Sequence, residues 1–137
     1  MSINFTVMGP LELLCSSIAT SEGFFAPQDD LPKKNHNPGD LRASPLNRFK
    51  DKAGFVIFQS DKEGIAALYH QVTLMAVRGM TPRQIITVWA PPTGADGGNN
   101  TEQYIKSVAA WTGLDMDKPL WDALPLRNMY VKFPDAT

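Results

Sequence analysis

The sequence contains little cysteine, almost no net charge and no long apolar run. Its single cysteine, Cys15, cannot form an internal disulfide, and its apolar neighbours predict a small core residue. With 13 basic and 14 acidic residues the formal net charge is −1, which gives no indication of nucleic-acid binding. No apolar run approaches the length of a membrane span. The N-terminus lacks a basic segment followed by a long apolar one, so no signal peptide is predicted.

The composition is that of a globular protein. Hydrophobic residues make up 43% of the chain and charged residues 20%, which argues against a disordered chain. The 137 residues are close to the usual size of one domain and are enough to bury one core. No internal repeat or low-complexity segment is visible. We therefore predict a single soluble domain spanning residues 1–137.

The charges are unevenly distributed along the chain. Residues 1–30 contain no lysine or arginine, whereas residues 33–52 are rich in both. The basic residues of this segment are Lys33, Lys34, Arg42, Arg48, Lys50 and Lys52. Such a segment attracts an anionic polymer or is simply a solvated loop, and the sequence leaves both interpretations open.

Apolar periodicity and capping residues predict five helical regions. The first runs from Pro10 to Glu22, and Gly23 follows as a C-terminal stop. The second runs from Ser60 to Arg78 and begins with Ser60 and Glu63 at capping-box spacing. Three further helical regions begin at Thr81, at Asn100 and around Pro119.

The segment between the first two helices lacks helical periodicity. Residues 26–40 are predicted to be loop, because three prolines and a glycine do not fit together in regular structure. Two short extended runs follow, Asp40–Ala43 and Gly54–Gln59, and in the second the side chains alternate between two faces. They predict a small β-hairpin or sheet around residues 40–60. A mainly helical chain with such an element belongs to the α+β class.

Five short motifs occur in an order and spacing that resemble a known family. They are Ile18–Phe24 with its Glu-Gly-Phe sequence, Asn37-Pro38-Gly39, Phe58–Ile65, Trp89–Pro92 and Asn100–Ile105. Together they cover about residues 12–125 and are similar to motifs of phage-associated, lysozyme-like cell-wall lytic proteins. One departure is Asp40, because the family loop usually has asparagine at that position.

The resemblance implies a lysozyme-like fold and cleavage of peptidoglycan glycan strands, with Glu22 as the general acid. The reaction that the resemblance implies is that of a muramidase or of a lytic transglycosylase. The surroundings of Glu22 suit the role, because an apolar helix precedes it and Phe24 and Phe25 follow. Desolvation by apolar groups keeps a carboxylic acid protonated to higher pH. The alternative is a solvent-exposed residue that ends a helix.

A second catalytic carboxylate is predicted at Asp40. A glycoside hydrolase needs another carboxylate across the scissile bond, and Asp40 at the start of the predicted hairpin is the best candidate. In lytic transglycosylases, which the chain also resembles, one glutamate is enough, because the acetamido group of the sugar stabilises the cation. Aspartate also favours turns, so Asp40 is either a catalytic residue or a turn residue.

Side chains that can form hydrogen bonds with a glycan are predicted at Asn37, Gln59, Asn100 and Tyr104. Trp89 and Tyr104 also offer flat apolar faces, although Asn100 suits a helix cap and Trp89 a core position. No cofactor and no metal are predicted. His36 and His70 are isolated, and the Asp96–Asn100 run lacks the regular acidic spacing of a calcium loop.

Peptidoglycan glycan strands are therefore the predicted partner, with phage virion proteins as further candidates and neither nucleic acid nor a membrane span involved. The expected location is the virion, or the host cytoplasm before delivery to the periplasm or cell wall. The alternative function is a non-catalytic virion structural or glycan-binding module with the same fold. Chitin is a third candidate substrate, because it shares the N-acetylglucosamine unit.

Overall fold

The computed structural model describes residues 9–26, 31–92 and 100–124, and within these ranges the chain forms six helices. They are α1 (Pro10–Ser21), α2 (Leu31–Lys34), α3 (Asp61–Val77), α4 (Pro82–Trp89), α5 (Thr101–Thr112) and α6 (Leu120–Ala123). The five predicted helical regions all form helix, and α2 is an additional short helix in the segment predicted to be loop. The glycine-rich loop at residues 93–99 and the C-terminal tail from Pro125 lie outside the described residues.

The fold within the described ranges is all-α. These residues form no β-strand, and one isolated antiparallel bridge joins Lys50 to Val56. The predicted α+β fold, with a β-hairpin or small sheet around residues 40–60, is therefore wrong. None of the helices in the described parts of the chain is both long enough and apolar enough to cross a membrane.

The predicted hairpin fails because its backbone groups bond to different parts of the chain. The N–H groups of residues 56–58 donate to three separate segments, through the carbonyls of Leu41, Phe49 and Asn35 in that order. The first predicted strand is also interrupted, because Asp40 has a φ of 50°, in the left-handed region. Around residues 40–60, the antiparallel pairing between residues 49–51 and 55–57 is therefore too short to form a ladder.

Side-chain caps determine the residues at which α3, α4 and α5 begin. Ser60, Thr81 and Asn100 each accept a hydrogen bond from the backbone N–H three residues later. At Thr81 the capping box is complete, because the side chain of Gln84 accepts from the Thr81 N–H. The predicted starts of α3, α4 and α5 are confirmed.

Helix α1 lies in the hydrophobic core and packs against α5 and α3. Leu14 and Ile18 have no exposed surface, and Val72 of α3 and Val108 of α5 are equally buried in the same cluster. Cys15 is buried there too, as predicted. Burial of a leucine or valine side chain contributes about 1.5–3 kcal/mol. This packing therefore holds the C-terminal end of α1 close to α5.

Gly64 allows the first turn of α3 to lie directly against the loop at residues 36–38. A Cβ atom at this position would lie 1.7 Å from the carbonyl oxygen of His36 and 2.9 Å from Cδ of Pro38. Helix and loop thus approach each other to a distance that only glycine permits. The contact positions the loop that leads to Asp40.

Candidate active site

A cleft of about 520 Å³ opens beside the C-terminal end of α1. Its wall includes Glu22, then Asp40 and Arg42 from the loop before α3, Gln71 from α3 and Trp89 from the end of α4. This volume lies within the range of about 300–1,000 Å³ that is typical of small-molecule sites. The two predicted catalytic residues therefore line one cavity.

Glu22 caps the C-terminal end of α1. Its N–H still donates to the carbonyl of Ile18, so the helical path continues as far as this residue. Gly23 has a φ of 89°, the left-handed conformation that commonly ends a helix, and Phe24 then returns to the core. The predicted helix end is confirmed, and the Glu22 side chain is left half-buried at the cleft.

Burial and two neighbouring side chains determine how readily Glu22 ionises. Burial is the largest cause and raises the pKa of Glu22 above its usual range. The hydroxyl of Tyr104 donates to Oε2 of Glu22 at 3.0 Å, which opposes the rise, and the negative charge of Asp40 adds to it. The carboxyl group therefore keeps its proton to a higher pH than a solvated glutamate does, as a general acid requires.

Tyr104 reaches Glu22 from the first turn of α5. Burial and the nearby Glu22 carboxyl raise the pKa of Tyr104, so the side chain stays a neutral phenol that donates its proton. Its hydroxyl, predicted to bind glycan, contacts Glu22 instead, and the residue is not part of the cleft wall. Tyr104 therefore orients the acid by holding Oε2.

Replacing Tyr104 by phenylalanine is expected to raise the pKa of Glu22 further. The change removes the hydrogen bond that favours the carboxylate and keeps the aromatic ring. NMR titration of the Glu22 carboxyl carbon measures the shift. Tyr69→Phe is the matched control, because it removes a phenol hydroxyl that does not contribute to the Glu22 pKa. An unchanged or lowered pKa in Tyr104→Phe contradicts the prediction.

Asp40 occupies a tight turn and the cleft wall at the same time. Its φ of 50° is a conformation that asparagine and aspartate adopt more readily than most residues with a side chain. Its N–H donates to the carbonyl of Asn37 at 3.0 Å, which closes the turn. The turn role and the placement of a carboxylate near Glu22 are therefore compatible.

Trp89 connects the end of α4 to the same loop. Its indole Nε1–H donates to the carbonyl of Gly39 at 2.7 Å, and the half-buried ring lines the cleft. An aromatic face beside a polar edge is suited to packing against a sugar ring. Trp89 thus supplies apolar surface close to both carboxyl groups.

The side chain of Asn37 connects the loop before α3 through hydrogen bonds to its backbone groups. The residue is fully buried. Its Nδ2 donates to the carbonyls of Leu41 and Val56, each at 2.9 Å, and its Oδ1 accepts from the Leu41 N–H at 2.8 Å. These bonds satisfy backbone groups that would otherwise lack partners. Asn37, predicted to bind glycan, is not part of the cleft wall and has a structural role.

We expect Asn37→Ala to lower the free energy of unfolding by about 2–3 kcal/mol, because it leaves buried backbone groups without hydrogen bonds. Chemical denaturation followed by circular dichroism measures the loss. Asn47→Ala is the matched control at an exposed position, where a change of less than about 0.5 kcal/mol is expected. Equal stabilities of the two variants would show that the buried amide contributes nothing.

The remaining two predicted glycan ligands also lie outside the cleft wall. Gln59 is exposed, and the side chain of Asn100 is engaged in capping α5. In their place the fold brings Arg42, Phe55 and Gln71 to the cleft. Of these three, Arg42 carried a sequence signal through its place in the basic segment, whereas nothing in the sequence distinguished the other two.

No protein-family model, curated protein or solved structure matches this chain. Within the described ranges, no group of three or more His, Cys, Asp or Glu side chains is arranged to hold a metal ion.

Proposed function

We propose that this chain cleaves the glycan strands of peptidoglycan, by a muramidase or a lytic transglycosylase reaction, with Glu22 as the general acid. The observation that carries the proposal is the half-buried Glu22 carboxyl, which has a raised pKa, lines the cleft and is held through Oε2 by Tyr104. The motif order that resembles phage-associated cell-wall lytic proteins supports peptidoglycan as the substrate.

The reaction begins with Glu22 protonated. Its proton passes to the glycosidic oxygen while the bond from that oxygen to the anomeric carbon breaks, and positive charge develops on the sugar. In a hydrolase, the carboxylate of Asp40 stabilises this charge and water completes the reaction. In a transglycosylase, the acetamido oxygen of the sugar does so, and a sugar hydroxyl closes the anhydro ring. Glu22 recovers its proton from the water or hydroxyl that attacks.

Digestion of purified peptidoglycan sacculi tests the proposal. We expect the purified protein to release soluble fragments, and mass spectrometry of their ends to show either reducing or anhydro sugars. Chitin is digested in parallel, because it presents the same N-acetylglucosamine unit without muramic acid. A folded protein that leaves sacculi intact across the acidic and neutral pH range overturns the proposed activity.

A non-catalytic virion module that binds glycan is the second candidate. The observation that favours it is Asp40, which stands where the resembling family usually has asparagine. Such a module sediments with insoluble sacculi and releases no fragments, so the digestion experiment separates the two functions. For both candidates, the proposed route to the wall is with the virion or from the host cytoplasm.

We expect Asp40→Asn to lower turnover by less than about tenfold, as a single-glutamate reaction predicts. The amide retains the turn, because asparagine adopts the left-handed conformation readily. In a two-carboxylate hydrolase the same change lowers the rate by roughly three orders of magnitude. Turnover on defined glycan and identification of the product ends make the measurement. Asp122→Asn serves as the control, because this exposed carboxylate lies outside the cleft.

A second effect of Asp40→Asn does not depend on which mechanism operates. Loss of the Asp40 charge removes one cause of the raised Glu22 pKa, so the alkaline limb of the pH–activity profile moves to lower pH. For the turnover prediction above, the contradicting outcome is that wild type releases fragments with reducing ends and folded Asp40→Asn is inactive. That result would exclude the single-glutamate mechanism.

A further inference from the structure

Arg42 provides positive charge in a cleft wall whose other charged members, within the described residues, are Glu22 and Asp40. The ion pairs among the described residues involve His36, Arg48, Arg83 and Lys118, and none includes Arg42. No carboxylate in this part of the chain therefore forms a direct ion pair with Arg42. The cleft thus presents an exposed cation beside the acid that is proposed to act on the glycan.

The guanidinium of Arg42 is held in place by the loop at residues 53–55. Nη1 donates to the carbonyl of Ala53 at 2.9 Å, and Cζ lies 4.1 Å from the centroid of the Phe55 ring, in a cation–π contact. Gly54 leaves room for the group, because a Cβ atom there would lie 3.3 Å from Nη1. Among the residues that the structure describes, these contacts orient the side chain without an acidic partner.

This orientation leaves most of the guanidinium edge available to a ligand. A guanidinium has five N–H donors. Within the described ranges, Arg42 uses one of them, in the bond to the Ala53 carbonyl. The remaining donors form a planar fork that matches the two oxygens of a carboxylate. A neutral sugar hydroxyl needs neither the charge nor the fork, so the geometry favours an anionic group on the substrate.

Peptidoglycan carries carboxylates that chitin lacks. Every second sugar bears a lactyl ether, whose carboxylate is exposed in strands without stem peptides. In intact strands that group is amide-linked to the stem peptide, which has carboxylates of its own. Both sources present the same chemistry to an arginine, and both attach to the muramic acid residue that follows or precedes the scissile bond.

We propose that Arg42 binds a carboxylate on the muramic acid side of the substrate and so makes the cleft prefer peptidoglycan to chitin. The inference rests on the proposed function, because it assigns a substrate contact within the same cleft. Arg42 acts in binding and specificity rather than in the proton transfer, which belongs to Glu22.

The test measures Arg42→Gln on three substrates: peptide-bearing glycan strands, amidase-treated strands with exposed lactyl carboxylates, and chitin oligosaccharides. We expect KM for a carboxylate-bearing substrate to rise about 10- to 100-fold, as for loss of a charge-assisted bidentate contact, with kcat little changed. Chitin oligosaccharides should bind wild type and variant equally well. A rise in KM for the treated strands identifies the lactyl carboxylate as the group that Arg42 binds. A rise in KM for the peptide-bearing strands alone identifies a carboxylate of the stem peptide.

Two further variants separate the contact from general charge. Arg78→Gln removes the same charge at the exposed end of α3, outside the cleft, and should leave KM unchanged. Arg42→Lys keeps the charge but loses the fork and the stacking, so it should recover only part of the affinity. Circular dichroism and thermal unfolding check that Arg42→Gln is folded.

Binding to peptide-bearing and to treated strands, measured by isothermal calorimetry, keeps this inference separate from the proposed activity. If the protein binds these strands through Arg42 but cleaves nothing, the activity fails and the carboxylate site stands. If it cleaves peptidoglycan and Arg42→Gln matches wild type on all three substrates, the carboxylate site is overturned and the activity stands. A protein that neither binds nor cleaves overturns both.

Discussion

Glu22→Gln is expected to reduce release of fragments from peptidoglycan by at least about a hundredfold, the usual effect of losing a general acid. The amide is nearly isosteric with the acid and can still accept the hydrogen bond from Tyr104 at the Oε2 position. It has no proton to give to the glycosidic oxygen. Initial rates on purified sacculi, with protein concentration checked by absorbance, make the measurement.

The same substitution has a predictable effect on stability. Because the pKa of Glu22 is raised in the folded protein, ionisation of this group disfavours folding. Wild type therefore has its full stability below the usual glutamate pKa and loses part of it as pH rises through the raised value. Glu22→Gln has no group that ionises at this position, so it does not lose this stability as pH rises. The difference in free energy of unfolding between Glu22→Gln and wild type should therefore shift in favour of the variant from acidic to neutral pH.

Glu102→Gln provides the control for both measurements. Glu102 is an exposed glutamate in the first turn of α5, close to Tyr104 in the sequence. It does not line the cleft. It should retain wild-type activity. A Glu22→Gln protein that digests sacculi as fast as Glu102→Gln does would remove Glu22 from the mechanism.

Gly64→Ala is expected to destabilise the protein by at least about 3 kcal/mol. In an ordinary helix the same change stabilises by about 1 kcal/mol, because alanine has the higher helix propensity. Here the new Cβ would lie 1.7 Å from the backbone oxygen of His36, and a backbone group cannot rotate away as a side chain can. The first turn of α3 or the loop before it must therefore shift. Urea denaturation measures the loss.

Gly79→Ala is the matched control for this effect. Gly79 has a φ of 83°, and a Cβ atom added there would meet no atom within 4 Å. Gly79→Ala should therefore lower the free energy of unfolding by about 1–2 kcal/mol, through backbone strain alone. If Gly64→Ala is no less stable than Gly79→Ala, the close approach of α3 to the loop is not tight enough to exclude a methyl group.

The helices could be predicted because their signals are local. Ser60, Thr81 and Asn100 each cap a helix with a side chain that reaches only three residues along the chain. The end of α1 at Glu22 and Gly23 is also local, since it depends on the left-handed conformation that glycine adopts easily. Such features need no knowledge of distant parts of the chain.

The predicted β-hairpin was wrong for a reason that a sequence pattern does not reveal. Alternation over residues 54–59 correctly reflects alternate burial, because Val56 and Phe58 are buried whereas Phe55 and Ile57 are only half-buried. Alternate burial requires only that one face of an extended segment packs against the core. It does not require that the segment pairs with a neighbouring strand. In this fold, the side chains of one irregular segment meet the core while its backbone bonds to several loops.

The candidate site was predictable only in part. Residue type alone does not distinguish Glu22 and Asp40 among the 14 acidic residues; the motif order singles out Glu22, and its place in the loop singles out Asp40. The support for Arg42 comes from the Ala53 carbonyl and the Phe55 ring, and neither residue type suggests such a contact. Asn37 shows an ambiguity of residue type, because an amide that suits glycan binding is equally suited to satisfying buried backbone groups, as it does here.

The hydrogen bond between Tyr104 and Glu22 joins residues 82 positions apart, which has a consequence during synthesis. At about 5–20 residues per second, a ribosome needs roughly 4–16 seconds to extend the chain from one to the other. Throughout that interval α1 lacks α5, against which it packs in the folded protein. The hydrogen bond that holds Oε2 of Glu22 can therefore form only after Tyr104 has been synthesised, and a chain released earlier lacks this contact at the proposed acid.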